Sequence, residues 1–368
     1  MTVALANWAS ALTDEQAFRR EQEQLGRYWT LLGVTHDLAK DGDWIRARLG
    51  GRSVFVQSFG DKLRGFENRC AHRFYPLRNE DKGNGPIVCG FHHWRYDQDG
   101  CAIGVPMCPE LFGVAPRALN ARLNPVEVET CGSLVFGRFA PEGGGETLEH
   151  YLGDAFPIID TITKTSEPPH THGPPVAAHW KLCVQITLDD YHIVAVHHKP
   201  HYHSDSDLQY PRFGMHSGHF TGHADTLESM AAACRAGTYR PDHYRIFNIF
   251  PNLAVSLFRA SFKNEPHWYF NIQQFVPVAP GKCEHRGWFH RAEFLPVEGS
   301  ALEKLAQPWV ERVRARAVRF YQDRTAREDH EVCERLQRVA RQIEGWPILG
   351  SQETRIGWFE EAYAKAVG

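Results

Sequence analysis

The chain has 368 residues, enough for about two domains and at least one sizeable core, which excludes a disulfide-stapled mini-protein. Lys+Arg 41 against Asp+Glu 44 leaves a formal charge of −3, and 42% hydrophobic with 23% charged residues is an ordinary globular balance. Neither disorder nor a nucleic-acid partner is expected. Apolar runs such as Leu253–Val255 and Ile193–Val196 fall far below the roughly 18 residues that cross a bilayer, and Met1–Leu12 carries no basic n-region, so the expectation is a cytoplasmic protein with no membrane partner. Nine scattered cysteines and 21 histidines fit a reducing compartment better than a disulfide framework, and point to metal or catalysis.

In chain order, Asp14 to Leu32 reads as a helix, with Arg19, Arg20, Glu21 and Glu23 on a charged face and Phe18, Leu25, Tyr28 and Trp29 on an apolar one. Residues 1–37 are therefore expected to form a helical segment docking on a later domain. Short β-like runs follow from Asp37 to Phe139 (Ser53–Gln57, Pro86–Val88, Trp94–Tyr96, Ser133–Phe136), punctuated by Gly and Asp turns, and predict an antiparallel domain over 38–145. A Gly-rich stretch, Pro141–Gly145, marks the boundary. In 146–368 a strand-like run at His179–Ile186, a short helix after Thr187, strands from Tyr244 to Phe294 and a long helix from Ala301 to Ile343 predict an α+β domain with an antiparallel sheet.

Two constellations carry chemistry. Cys70-Ala-His72 and Cys89-Gly-Phe-His92 each offer one thiolate and one imidazole. At two hairpin tips they can converge on a site that suits zinc or an iron–sulfur centre in which two His replace two Cys; spacing alone leaves both open. The x-x spacing selects His92 over His93. The second constellation is Asp189, His192 and His197 with Asp329. His192 and His197 are five apart and diverge by about 140° on a regular helix, so they share a metal only if the helix breaks between them. Asp329 falls within an apolar stripe with Cys333, Leu336, Ala340 and Ile343, where a carboxylate is costly unless paired or metal-bound. Two His and one carboxylate make the facial triad of non-haem Fe(II) oxygenases.

From Asn68 to Gly100 the chain resembles the Rieske family: Trp94, Tyr96, Asp97 and Gly100 stand where that family has its tryptophan, aromatic, aspartate and turn glycine. Phe74, Gly90 and His93 depart from its Gly, Pro and Gly. Tyr75 and Phe91 replace the extra Cys pair of respiratory members, which points to the oxygenase or ferredoxin branch. The resemblance implies a [2Fe-2S] cluster on Cys70, His72, Cys89 and His92. Beyond it, Asp189-x-x-His192-x4-His197, Glu328-Asp329-x4-Glu334 and Phe250-Pro-Asn252 resemble the catalytic α subunits of Rieske non-haem iron, aromatic-ring-hydroxylating oxygenases, with Gln185 and Ile186 where that pattern has an acidic residue and Asn.

This second resemblance implies an antiparallel Rieske domain joined to an α+β helix-grip catalytic domain holding mononuclear Fe(II) on His192, His197 and Asp329. It further implies a head-to-tail homotrimer in which Asp189 bridges His92 of one subunit and His192 of the next. Electrons would come from NAD(P)H through a ferredoxin or flavin reductase, with O2 as co-substrate; a small second subunit is left open. The expected role is the terminal oxygenase of a multicomponent hydroxylase acting on a small aromatic molecule in aromatic catabolism. Alternatives are a monooxygenase performing hydroxylation or oxidative demethylation of a non-aromatic or N/O-methyl substrate, a Rieske electron-transfer protein without oxygenase activity, and a zinc-stabilised binding protein. Phe247, Phe250, Leu257, Phe258 and Phe262 are candidates for pocket lining or plain sheet core. His198, His201, His203, His216, His219 and His223 suggest a polar channel or satisfied histidines, and Arg69, Arg73, Arg78, Lys82 and Arg95 suggest a basic face for an acidic ferredoxin.

Overall fold

The segment expected to be one helix up to Leu32 is two elements in the computed structural model, which describes residues 11–140, 144–198, 208–222, 225–262, 265–294 and 301–368. The helix spans Glu15–Leu25, started by Asp14, whose Oδ1 accepts from the Ala17 N–H at 2.6 Å. Thr30–Val34 is a strand, paired antiparallel to Leu134–Arg138 with Leu31 opposite Phe136. All five of its residues are buried, so it has no one-sided alternation to distinguish it from a helix in sequence. Glu21, expected on the charged face, is 1% exposed. Its carboxylate accepts from Trp180 Nε1 (2.7 Å), Gln22 Nε2 (2.9 Å) and the Tyr363 hydroxyl (2.6 Å), and burial still pushes its pKa up.

The chain divides into two compact units, Glu23–Leu148 and Met1–Gln22 with Glu149–Gly368. In the first, seven antiparallel strands run in the order Thr30–Val34, Leu134–Arg138, Pro125–Cys131, Lys62–Glu67, Arg52–Phe59, Asp43–Leu49, Lys82–Asn84. Alternation along Arg52–Phe59 sends Val54 and Val56 to one core, with Ile45 and Val135, and Phe55 to another, with Phe66, Cys70, Cys89, Trp94 and Tyr96. That second core carries a three-stranded sheet, Ile87–Val88, Arg95–Tyr96 and Ala102–Gly104, and the two Cys/His loops.

In the second unit the main antiparallel path is His170–His172, Lys282–Arg291, Glu265–Ala279, Leu253–Phe262, Arg245–Ile249, His216–Thr221, Leu208–Gln209. His179–Ile186, expected as a strand, is corrected to a helix over Trp180–Ile186, with His179 Nδ1 accepting from the Lys181 N–H (3.2 Å). All seven helical residues are buried, and a short run buried all round has no face to give it away. The long helix spans Ala301–Val339; its Ala315 and Val318 pack on Tyr269 and Phe289 of the sheet. Its buried line continues through Ala326, His330, Cys333 and on to Ala340, while Leu336 is 40% exposed. Asp329 therefore stands beside the stripe rather than in its middle. A further helix, Thr354–Val367, closes the described chain. Among the described residues no helix is long and apolar enough to cross a membrane.

Candidate metal centres

The two Cys/His loops are closed by the same backbone bonds. Cys70 N–H donates to Tyr75 O (2.8 Å) and Phe74 N–H to Cys70 O (3.0 Å); Cys89 N–H donates to Trp94 O (2.9 Å) and His93 N–H to Cys89 O (2.9 Å). Each loop turns through a left-handed residue, Phe74 at φ 60° and His93 at φ 57°. These are two of the positions where the Rieske pattern has glycine, the residue that adopts this conformation without the roughly 1–2 kcal/mol steric cost borne by other L-residues. Buried Asn68 pins the exit of the first loop, its Oδ1 accepting from the Leu77 and Arg78 N–H groups (3.0 and 2.8 Å).

Both cysteine side chains are buried. The His72 and His92 rings lie 4.8 Å apart, and His72 stacks on Trp94 at 4.8 Å and 2°. His93 is exposed, which leaves His92 as the histidine turned toward His72. Burial, with His92 and Arg73 nearby, holds the His72 pKa below its ordinary value, and its buried Nδ1 has no hydrogen-bond partner. Two buried sulfurs, a neutral imidazole with an orphaned nitrogen and a second imidazole beside it fit a two-iron cluster with Cys2His2 ligation.

The Tyr96 hydroxyl lies 3.0 Å from Cys70 Sγ and accepts from the Ala71 N–H at 3.1 Å. Burial raises its pKa, so it keeps its proton and is the donor to a Cys70 thiolate. Tyr96→Phe is expected to lower a cluster's midpoint potential by about 40 mV, taking about 1 kcal/mol for one hydrogen bond to sulfur in a one-electron couple. Redox titration of the visible spectrum reads this directly, and an unchanged potential would remove Tyr96 from that role. The expected basic face is smaller than the sequence suggests. Arg78 is buried against Trp44, donates to Gln57 Oε1 (2.6 Å), and burial pushes its pKa down to about 10; Arg69 pairs with Glu67 at 2.8 Å.

In the second unit the expected break between His192 and His197 is corrected: the helix is uninterrupted between them and stops at His197, where the backbone leaves helical geometry. A short helix runs only from His192 to Val196, His197 is its C-terminal cap, and the two rings come within 5.2 Å. Asp189 Oδ1 starts the turn by accepting from the Tyr191 and His192 N–H groups (2.8 and 3.2 Å). One ligand atom each from His192, His197 and Asp329 lie within 4.8 Å of one another. Asp329 Oδ1 is 3.4 Å from His192 Nε2 and 3.0 Å from His197 Nε2, yet forms no well-shaped hydrogen bond. Three atoms aimed at a common point without satisfying one another are a donor set suited to a divalent cation, and two His with one carboxylate suit Fe(II).

Each histidine has a carboxylate behind it. Asp189 Oδ2 is 3.5 Å from His192 Nδ1, and Glu328 Oε2 is 2.9 Å from His197 Nδ1. Burial opposes a charge on His192, but Asp189 and Asp329 outweigh it and push its pKa up to about 10; the site favours positive charge. Glu328 enters the sequence pattern only as the neighbour of Asp329, with no role of its own, and that place in the third-ligand region is the signal that points to it. Glu328→Gln is expected to weaken iron binding at this site roughly 10- to 100-fold, the usual cost of losing a partner that orients a metal-binding histidine. An iron-binding titration unchanged from the parent protein would contradict this.

Around the triad lies a cavity of about 640 Å3 whose apolar lining includes Ile193, Ile246, Phe258 and Val318. Of the candidate pocket-lining residues whose side chains are described, only Phe258 contributes. Phe247 and Leu257 are out of phase with Ile246 and Ser256 on their strands and face the other side of the sheet; Phe250 borders a separate small cavity, and the Phe262 side chain is outside the described residues. The histidine channel is not built from the described residues. His216 is tied to Tyr151 O (2.8 Å) and the Phe250 N–H (3.0 Å), His219 to Asp190 (2.7 Å), and His198 is exposed, while 201, 203 and 223 are outside the described residues.

Comparison with known proteins identifies two domains. Residues 28–118 match the Rieske [2Fe-2S] domain, and 162–368 match the ring hydroxylating alpha subunit catalytic domain. The large oxygenase component of a naphthalene 1,2-dioxygenase system from Pseudomonas fluorescens is 32% identical over 195 residues, which is 50% of this chain and 42% of that protein. The chain thus matches less than half the length of that relative. The N,N-dimethyl phenylurea N-demethylase subunit alpha of Sphingobium sp. (strain YBL2) is 25% identical over 328 residues, 77% of this chain and 71% of its own. Among solved structures, naphthalene 1,2-dioxygenase from Rhodococcus sp. bound to indole has TM-score 0.74 at 19% identity, covering 98% of this chain and 93% of its own. A quaternary ammonium Rieske monooxygenase has TM-score 0.72 at 17%, covering 99% and 95%. With more than half of its length matched by the catalytic-domain model and the Rieske domain ahead of it, the chain belongs to the ring-hydroxylating alpha subunits of the Rieske oxygenases.

Proposed function

We propose that this chain is the terminal oxygenase component of a multicomponent hydroxylase, acting on a small aromatic molecule. The observation that carries the reading is the convergence of His192, His197 and Asp329 on one point in the wall of a largely apolar cavity. In this reading Cys70, His72, Cys89 and His92 hold a Rieske cluster, and the triad holds Fe(II). When bound, the cluster supplies single electrons originating from NAD(P)H through a ferredoxin or flavin reductase, and the iron supplies activation of dioxygen.

The chain's own groups do the rest. Glu328 fixes the His197 ring through Nδ1, and Asp189 backs His192 Nδ1 at 3.5 Å, with both Nε2 atoms turned toward Asp329. Ile193, Ile246, Phe258 and Val318 exclude water from the substrate side. In the homotrimer that family membership suggests, Asp189 also presents its carboxylate to His92 of a neighbouring subunit.

The test is a single turnover of the chemically reduced protein under 18O2 with a panel of aromatic substrates. Labelled hydroxylated product is expected. Reoxidation of the cluster with no label in any organic product would instead favour an electron-transfer protein. The 77% coverage by an N-demethylase subunit favours a second reading, oxidative demethylation, which the same experiment separates by the number of labelled atoms and the release of formaldehyde.

A further inference from the structure

Val318, Gln322, Thr325 and Asp329 recur at intervals of three and four on the long helix, and all four line the cavity. Across from them Ser256, Phe258, Asn271 and Gln273 come from one face of the sheet, as the pairing of Ser256 with Asn271 requires. The cavity is not apolar throughout.

Asn271 is 2% exposed and held at both ends: Oδ1 lies 2.8 Å from His172 Nε2, and Nδ2 donates to Gln322 Oε1 at 3.1 Å. His172 in turn sits over Gly287, where any Cβ would collide with its ring. Burial holds the His172 imidazole below its ordinary pKa and therefore neutral. Asn271 Oδ1 can only accept, so the ring's single proton belongs on Nε2; Nδ1 makes no hydrogen bond, and the Asp323 carboxylate oxygen facing it, at 3.9 Å, is beyond hydrogen-bond reach. Direction then follows along the chain. His172 Nε2 donates to Asn271 Oδ1, Asn271 Nδ2 donates to Gln322 Oε1, and Gln322 is left with its NH2 group free of other protein partners among the described residues, in the cavity wall.

Formal charge elsewhere in the lining is already engaged. Asp189 accepts from two backbone N–H groups behind His192, and Asp190 is paired with Arg355 (2.9 Å) and His219 (2.7 Å). Arg259 is also among the lining residues, but it is exposed and out of phase with Phe258 and Ala260, so its side chain leaves from the opposite face of the sheet. Away from the triad the described side chains of the wall therefore offer no free carboxylate for a cation and no guanidinium for an anion. It offers an oriented amide donor.

We propose that Gln322 is a specificity-determining residue, and that the substrate is a neutral, largely apolar molecule with one hydrogen-bond acceptor, such as a carbonyl, nitro or ether oxygen, placed against the Gln322 NH2. This deepens the oxygenase reading and rests on it. A site that holds out a desolvated donor discriminates against the analogue that cannot accept from it.

The test uses three matched bicyclic probes, indane (hydrocarbon), 1-indanone (acceptor) and indole (donor), titrated calorimetrically into the full-length holoprotein under anaerobic conditions without reductant. 1-Indanone is expected to bind about tenfold more tightly than indane, and indole no more tightly than indane. Gln322→Glu keeps an oxygen to accept from Asn271 and replaces the NH2 by a second acceptor; Gln322→Leu removes both. In either variant the ratio of 1-indanone to indane affinity should fall to about one. Equal binding of indane and 1-indanone, preference for indole, no saturable binding of 1-indanone, or a preference that survives both variants would overturn the proposal. Iron and sulfide contents of the same samples report separately on whether the oxygenase reading itself fails.

Discussion

Arg355→Met is expected to empty the mononuclear site while leaving the Rieske domain's visible spectrum intact. Arg355 is fully buried on the last helix and fastens the metal-binding loop at two places. Its Nη2 donates to Asp190 Oδ2 (2.9 Å); its Nη1 donates to Asn248 Oδ1 (2.8 Å), whose Nδ2 donates to Thr187 Oγ1 (2.8 Å). Thr187 and Asp190 bracket Asp189, and His192 follows two residues later. Burial opposes ionisation of Asp190, but His219 and Arg355 outweigh it and hold the carboxyl below its ordinary pKa. Methionine preserves much of the volume and leaves Asp190 buried with its main counter-charge gone. Breaking a buried pair in this way costs about 3–5 kcal/mol. The checks are iron per chain and urea unfolding of the second unit. Arg355→Lys restores one charge but not the two-armed contact, so it should recover only part of the loss. A Met variant with full iron and an unshifted unfolding midpoint would show that the loop is held in another way.

With Fe(II) supplied in excess, so that weaker binding does not empty the site, Asp189→Asn is expected to keep both metals and lose roughly 10- to 100-fold in turnover. The asparagine Oδ1 can still accept from the Tyr191 and His192 N–H groups, so the turn that launches the helix survives. The other atom changes character. Where Asp189 Oδ2 faces His192 Nδ1 at 3.5 Å, an NH2 would oppose an N–H, because a metal bound at Nε2 leaves the ring proton on Nδ1. The ring then loses its orienting partner, and so does any second histidine that shares this carboxylate. Steady-state oxygen uptake, read beside iron content and the reduced cluster's spectrum, separates this from simple metal loss. Full activity would sink the bridging role.

What sequence made legible follows the reach of each signal. Cys70, His72, Cys89 and His92 were readable because their spacing is local, as were the Asp189, His192 and His197 positions. Asp329 stood out as a carboxylate among apolar helix positions, even though the exposed Leu336 shows that the stripe was drawn one turn too broadly. Phe74 and His93 looked like departures from a pattern, and their positive φ values give the reason glycine is usual there. Other features depend on distant partners. Glu21 reads as a surface charge because its donors, Trp180 and Tyr363, lie far along the chain. The Trp180–Ile186 helix and the Thr30–Val34 strand are buried throughout, which erases the alternation that distinguishes one from the other. The His172–Asn271–Gln322 chain joins three elements, and no local spacing announces it.

The claim on which everything else depends is that one chain holds two different iron centres. The most direct test is the content of iron, acid-labile sulfide and zinc per chain in protein purified without added metal, with the visible spectrum before and after dithionite. The account predicts about three irons and two sulfides, and a red-brown colour that bleaches on reduction. Zinc without sulfide, in a colourless protein, would contradict it.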